Sequence, residues 1–145
     1  MKISSYNPTT MDLLLSDTTT VDFGNSVRGT HAPNVVVIKP VAETETITTL
    51  AMFLEDNADL NHTSFERFSS STAITGIEPG DPRFSNFFIL AAGISDVSQI
   101  PEYSDYGLML TPSDPEYVWM DALVGSNEST YGASAINYRF LFEYV

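Results

Sequence analysis

The last ten residues, Ile136-Asn137-Tyr138-Arg139-Phe140-Leu141-Phe142-Glu143-Tyr144-Val145, set the terms for the whole chain. Ile136, Tyr138, Phe140, Phe142 and Tyr144 occupy every second position, so an extended backbone puts all five on one face. Asn137, Arg139, Leu141, Glu143 and Val145 fall on the other. Aromatic side chains suit a pleated, half-buried surface, and the pattern predicts a strand. Upstream, Val118, Met120, Ala122 and Val124 form an apolar face, with Tyr117, Trp119, Asp121 and Leu123 on a mixed one. Between these two segments lies Gly125-Ser126-Asn127-Glu128-Ser129-Thr130-Tyr131-Gly132, rich in turn formers. The arrangement predicts an antiparallel hairpin with a long loop.

The same alternation recurs upstream. Val35 to Ile38 is a β-branched run ended by Lys39-Pro40, and Thr46 to Leu54 places Leu50, Met52 and Leu54 on one face. Phe84 to Ala91 sets Phe84, Phe88 and Leu90 against Phe87 and Ile89. Thr20 to Phe23, Gly107 to Thr111 and Met11 to Leu15 are further candidates, with prolines between the runs, where a missing N–H harms no ladder. Asp56 to Ser71 has only Leu60, Phe65 and Phe68 as apolar anchors; it reads as a long loop with one helical turn, and Ser95 to Tyr106 as a second long loop. Strict alternation implies that each sheet buries one face only. The expected fold class is all-β: a single-domain antiparallel β-sandwich of about seven to nine strands with two long loops. The sandwich is expected over 11–145, after an extended N-terminal segment, 1–10, that can pack against a neighbour.

Composition narrows the function. The chain has 145 residues, a net charge of −13 and no cysteine. The absence of cysteine excludes disulfides, thiolate metal sites and thiol catalysis. The six basic residues, Lys2, Arg28, Lys39, Arg67, Arg83 and Arg139, are scattered. Nucleic-acid binding needs cations that converge on phosphates, so no nucleic-acid partner is expected. An anionic membrane surface would repel the chain. No apolar run approaches a signal-peptide core or a membrane span, so neither is expected.

Sites for chemistry are sparse. His31 and His62 are the only histidines, and no Gly-x-Ser-x-Gly, His-x-x-x-His, Walker A or Gly-x-Gly-x-x-Gly pattern occurs. The acidic stretches Glu55–Asp59 and Asp114–Asp121 are candidate cation loops without the Asp-x-Asp-x-Asp-Gly pattern. Paired carboxylates for glycoside hydrolysis cannot be placed from the sequence. No catalytic, cofactor-binding or metal-ligating residue is therefore named, no cofactor is expected, and the chain reads as non-enzymatic. The remaining candidates are aromatic. If the Val118/Met120 face is core, Tyr117 and Trp119 lie on the opposite face, where Trp119 is either covered by the chain's own loops or, with Tyr103, Tyr106 and Tyr131, offers a subunit anchor or a sugar platform.

Val21-Asp22-Phe23-Gly24-Asn25-Ser26-Val27-Arg28-Gly29-Thr30, followed by Val35-Val36-Val37-Ile38 and the Thr-rich strand near Ile47, resembles the opening strands of immunoglobulin-like (Ig-like) sandwiches, without the two cysteines of antibody-type domains. In composition the whole chain also resembles small virion proteins of tailed bacteriophages: acidic, rich in Thr and Ser, free of cysteine. That resemblance implies a structural subunit of a capsid (as decoration), neck or tail, made in the host cytoplasm and located in the virion. The implied partners are other proteins: copies of itself in a homo-oligomer, or a capsid or tail scaffold. A carbohydrate- or receptor-binding module built on Trp119 and Tyr117 is the alternative.

Overall fold

The computed structural model describes residues 1–55, 60–86, 89–90, 111 and 114–145. Among them lie nine strands and no helix: β1 (Ser5–Tyr6), β2 (Leu13–Leu15), β3 (Val36–Ile38), β4 (Ile47–Glu55), β5 (Thr63–Ser70), β6 (Ser85–Asn86), β7 (Ile89–Leu90), β8 (Tyr117–Val124) and β9 (Tyr138–Tyr144). They form a six-stranded sheet, β2-β1-β3-β8-β5-β6, and a three-stranded sheet, β7-β4-β9. Every pairing is antiparallel except the short β4–β7 pair, which is parallel. The two sheets enclose a core, as in a β-sandwich.

Register explains that core. Ile38 pairs with Val118 across β3–β8, and Phe65 with Ala122 across β5–β8, so all four side chains fall on one side of the larger sheet. With Met120 they pack against Met52 and Leu54 of β4. In the smaller sheet Leu54 pairs with Tyr138 and Met52 with Phe140, which places these rings over the same core. The aromatic face expected for the C-terminal strand is thus the inner one; it emerges into solvent at Phe142 and Tyr144.

Three expectations need correction. First, β8 and β9 are not a hairpin: β8 pairs with β3 and β5, and β9 pairs with β4 in the other sheet. The connection 125–137 therefore crosses from sheet to sheet. It leaves β8 at Gly125, whose N–H donates to the His62 carbonyl at 2.8 Å, and an added Cβ would collide with that carbonyl. Glu128 then clamps the turn. Its carboxylate accepts hydrogen bonds from the His62 N–H (3.0 Å), the Thr63 hydroxyl (2.8 Å), and the N–H groups of Ser129 (3.0 Å) and Thr130 (3.2 Å). The backbone donor of His62 leads in holding this carboxyl down at a pKa of about 2.

Second, residues 63–70 are strand, not loop. Phe65 and Phe68 lie an odd number of residues apart and so fall on opposite faces of β5, each covered by a different layer. Third, the larger sheet buries both faces. Val37, Trp119 and Phe68 share its outer side, and Ile74, Ile77 and Phe84 from the segment after β5 close over them, with Tyr6 and Met11. Within residues 1–10, a short strand joins the larger sheet. Ser5 and Tyr6 pair with Ile38 and Val37, and Lys2 bridges to Val41.

Of the lesser strand candidates, Leu13–Leu15 forms β2, whereas Thr20 to Phe23 stays irregular while Val21 and Phe23 pack on the core. The Phe84 to Ala91 run divides into β6 in one sheet and β7 in the other. The loop Ser95 to Tyr106 and all of Gly107 to Thr111 except Thr111 lie outside the described residues.

Candidate interaction surface

Of the readings open for Trp119, the structure shows cover by the chain's own segments. Its side chain is 0% exposed and stacks on Phe68 at 4.6 Å between ring centroids with planes 11° apart. Val35, Val37, Ile77 and Phe84 complete its surroundings. The alternation of β8 marks two buried faces, one against the second sheet and one beneath the chain's own loop. Trp119 is therefore an interior pillar, and no sugar platform stands on it. Tyr117 is half-buried beside it, 6.1 Å away between centroids, with the Lys39 ammonium 5.5 Å from its ring. Tyr131 is 82% exposed, under the Arg28 guanidinium at 4.3 Å, far along the crossing connection. Tyr103 and Tyr106 lie outside the described residues. The five aromatics thus do not make one platform: Tyr117 and Trp119 are packed together inside, and Tyr131 stands apart with Arg28 and the exposed Val27.

The polar residues near β8 are dispersed as well. Asp114 is exposed and accepts from the Thr111 hydroxyl at 3.2 Å. Glu116 is buried on the inner side, where loss of hydration raises its pKa to about 7 despite a hydrogen bond from Ser69. Asp121 is buried on the opposite side. Its Oδ2 lies 2.6 Å from His31 Nδ1 and accepts the Gly80 N–H at 2.7 Å. Gly80 has φ 78°, and its open space is filled by the His31 ring, 3.0 Å from where a Cβ would stand. His31 itself bridges to Leu123. Asp121 thus ties the segment before β3 and the covering loop to the centre of β8. Among the described residues no group of three or more His, Asp or Glu side chains is placed to hold a metal ion. Of the Glu55–Asp59 stretch only Glu55 is described, and it pairs with Arg139.

The surface that stands out was not singled out from sequence. Leu13, Leu14 and Leu15 of β2 are each more than half exposed. Among the described residues β2 is the edge of the larger sheet, paired with β1 alone. All three of its residues are exposed. Its ends are fixed by left-handed backbone at Met11 (φ 64°) and Asp17 (φ 49°). Positive φ is uncommon outside glycine, and rarer for Met than for Asp; Met11 is held there by its packing against the Trp119 cluster. The hairpin before β2 is pinned by the Asn7 side chain, which accepts from the N–H groups of Thr9 (2.9 Å) and Thr10 (3.1 Å). A leucine triplet without alternation, set between Asp12 and Ser16-Asp17, was the available signal. Among the described residues the second sheet ends on β9, with Phe142, Tyr144 and Val145 exposed near its end.

Compared with known proteins, the chain matches no family model, no curated protein and no solved structure. Among the described residues no helix is long and apolar enough to cross a membrane.

Proposed function

We propose that this chain is a non-enzymatic structural subunit that joins a larger protein assembly by strand pairing at the β2 edge. The observation that carries the reading is the exposure of three consecutive leucines on an edge strand. Sheet edges expose unpaired N–H and C=O groups that template pairing with another chain, and proteins ordinarily blunt them with lysine, proline or bulges. Here the strand itself carries no lysine or proline, and its one irregularity is a register shift against β1. β-augmentation draws affinity from main-chain hydrogen bonds and selectivity from the flanking side chains. The compositional likeness to small virion proteins of tailed bacteriophages supports a virion as the place of assembly, in a capsid, neck or tail. The Ig-like variety of sandwich belongs to the same proposal and is supported by the Val21–Thr30 stretch alone.

The test is size-exclusion chromatography with light scattering on the wild type and Leu14→Lys, alone and mixed with the products of neighbouring genes. The wild type is expected in a species heavier than the monomer, alone or with a neighbour. Leu14→Lys is expected to lose that species while keeping its β-sheet circular dichroism. A wild type that stays monomeric in every mixture overturns the reading, as does a variant that assembles equally well.

A further inference from the structure

We infer that the occupant of the β2 edge is a short, apolar strand with basic flanks from a different protein, not a second copy of this chain. The inference rests on the assembly reading of the same strand and names its partner.

Three observations converge. The first is length. β2 spans Leu13–Leu15, and left-handed backbone at Met11 and Asp17 turns the chain away at both ends. An added strand has only about three to five residues to pair with before the edge is gone, fewer than the five or six of an ordinary strand. The second is the exposure of every residue of the strand. In a half-buried sheet an added strand would alternate, with one face apolar and one polar. Leu13, Leu14 and Leu15 are all exposed, across a register shift in their pairing with β1. A matching strand gains contact at every position and is apolar throughout, because cross-strand neighbours stabilise the pair.

The third is charge. Between residues 3 and 27 the only charged side chains are Asp12, Asp17 and Asp22, all acidic. Lys2, the nearest base in sequence, reaches Asp17 at 3.6 Å but is shared with Glu43 at 3.7 Å. An antiparallel pair of two β2 strands centred on Leu14 would set Asp12 of one copy against Ser16 of the other, one residue from its Asp17. It would also bring together two chains of net charge −13. Like charges brought near each other repel, and juxtaposed like potentials suppress the wrong partner. Lysines or arginines flanking an apolar segment reverse both terms.

The experiment uses fluorescence anisotropy with two synthetic peptides, each a short unbroken run of valine and isoleucine, one flanked by paired lysines and one by paired glutamates. Wild-type protein is expected to bind the lysine-flanked peptide at least about tenfold more tightly than the glutamate-flanked one, with the preference shrinking as salt screens the charges. Leu14→Ser, which changes apolarity but not charge, is expected to lose binding. Asp12→Asn/Asp17→Asn is expected to keep binding while losing most of the preference; Asn tolerates the left-handed backbone at position 17. Equal binding of the two peptides overturns the basic-flanked partner and leaves edge pairing intact. If neither peptide binds but light scattering gives self-association that Leu14→Ser abolishes, the occupant is a second copy: the inference falls and the assembly reading stands. Absence of both peptide binding and assembly overturns the two together.

Discussion

β8 and β2 are the two most instructive strands of this sheet, and they meet opposite fates. β8 carries Trp119 and Tyr117, the side chains that chemistry most favours at interfaces, yet the chain covers both of its faces itself. β2 carries three leucines of no special chemical interest, and they stand in solvent. The difference is position. β8 has a neighbour on each side, a second sheet on its inner face and the 72–84 segment on its outer face. Among the described residues β2 has one neighbour, and its leucines are exposed. Side-chain type says what a residue offers a partner; sheet order says whether the offer is open.

The largest expected effect falls on β8. Trp119→Ala should cost about 3–5 kcal/mol in urea unfolding, because it leaves a cavity that Phe68, Phe84 and Ile77 cannot close. Trp119→Phe should cost far less, since the indole N–H has no hydrogen-bond partner to lose among the described residues. A Trp119→Ala protein as stable as wild type would put Trp119 outside the core and break the contrast.

Next comes the polar tie beneath the covering loop. His31→Ala removes one of the two partners of the buried Asp121 carboxylate, leaving it the Gly80 N–H, and should cost about 1–3 kcal/mol. Faster proteolysis within 72–84 should accompany it. A neutral outcome would mean that Asp121 is hydrated and the loop loosely held.

The pH response is smaller and has a definite sign. Glu116 has a folded-state pKa raised from 4.5 to about 7, so the folded chain holds this proton more tightly than the unfolded one. Its contribution is most favourable below pH 4.5 and declines as pH rises towards 7. Glu116→Gln should therefore stabilise the protein at pH 8, by about 1 kcal/mol once solvent screening is allowed for, and should flatten the profile between those limits. Glu128 acts in the opposite direction. Its pKa is depressed to about 2, so its clamp is fully present above the unfolded value of 4.5 and is lost as pH falls towards 2. Denaturation curves from pH 2 to 8 on wild type and Glu116→Gln check both signs; a Gln variant less stable at pH 8 contradicts the first.

The smallest effect on stability belongs to β2. Leu14→Lys should change the unfolding free energy by less than about 0.5 kcal/mol, as exposed substitutions do, while abolishing assembly. A large loss of stability would mean that β2 is covered and not a free edge.

Much of the fold was legible in the chain, and particular residues explain the limits. The alternation from Tyr138 to Tyr144 and from Tyr117 to Val124 located both strands, because period-two patterns follow from backbone geometry alone. Their pairing was not legible. Sequence adjacency favours a hairpin, and only the Gly125–His62 contact and the Glu128 clamp, both long-range, turn the chain to the other sheet. β5 was hidden because Phe65 and Phe68 serve different layers, which erases alternation. Trp119 was left between cover and exposure for the same reason: a mixed face beside an apolar one fits either until Ile77 and Phe84 are folded onto it. β2 itself was visible as a strand candidate, but exposure depends on what lies above and below a strand, and no local pattern carries that.

The most direct test of the contrast between the two strands is hydrogen–deuterium exchange on the protein with and without the lysine-flanked apolar peptide. Added peptide should protect the backbone of 11–17 and leave 117–124 unchanged, since those amides are already held by β3 and β5. Protection that appears at 117–124 or 125–132, with 11–17 still exchanging freely, would contradict the account.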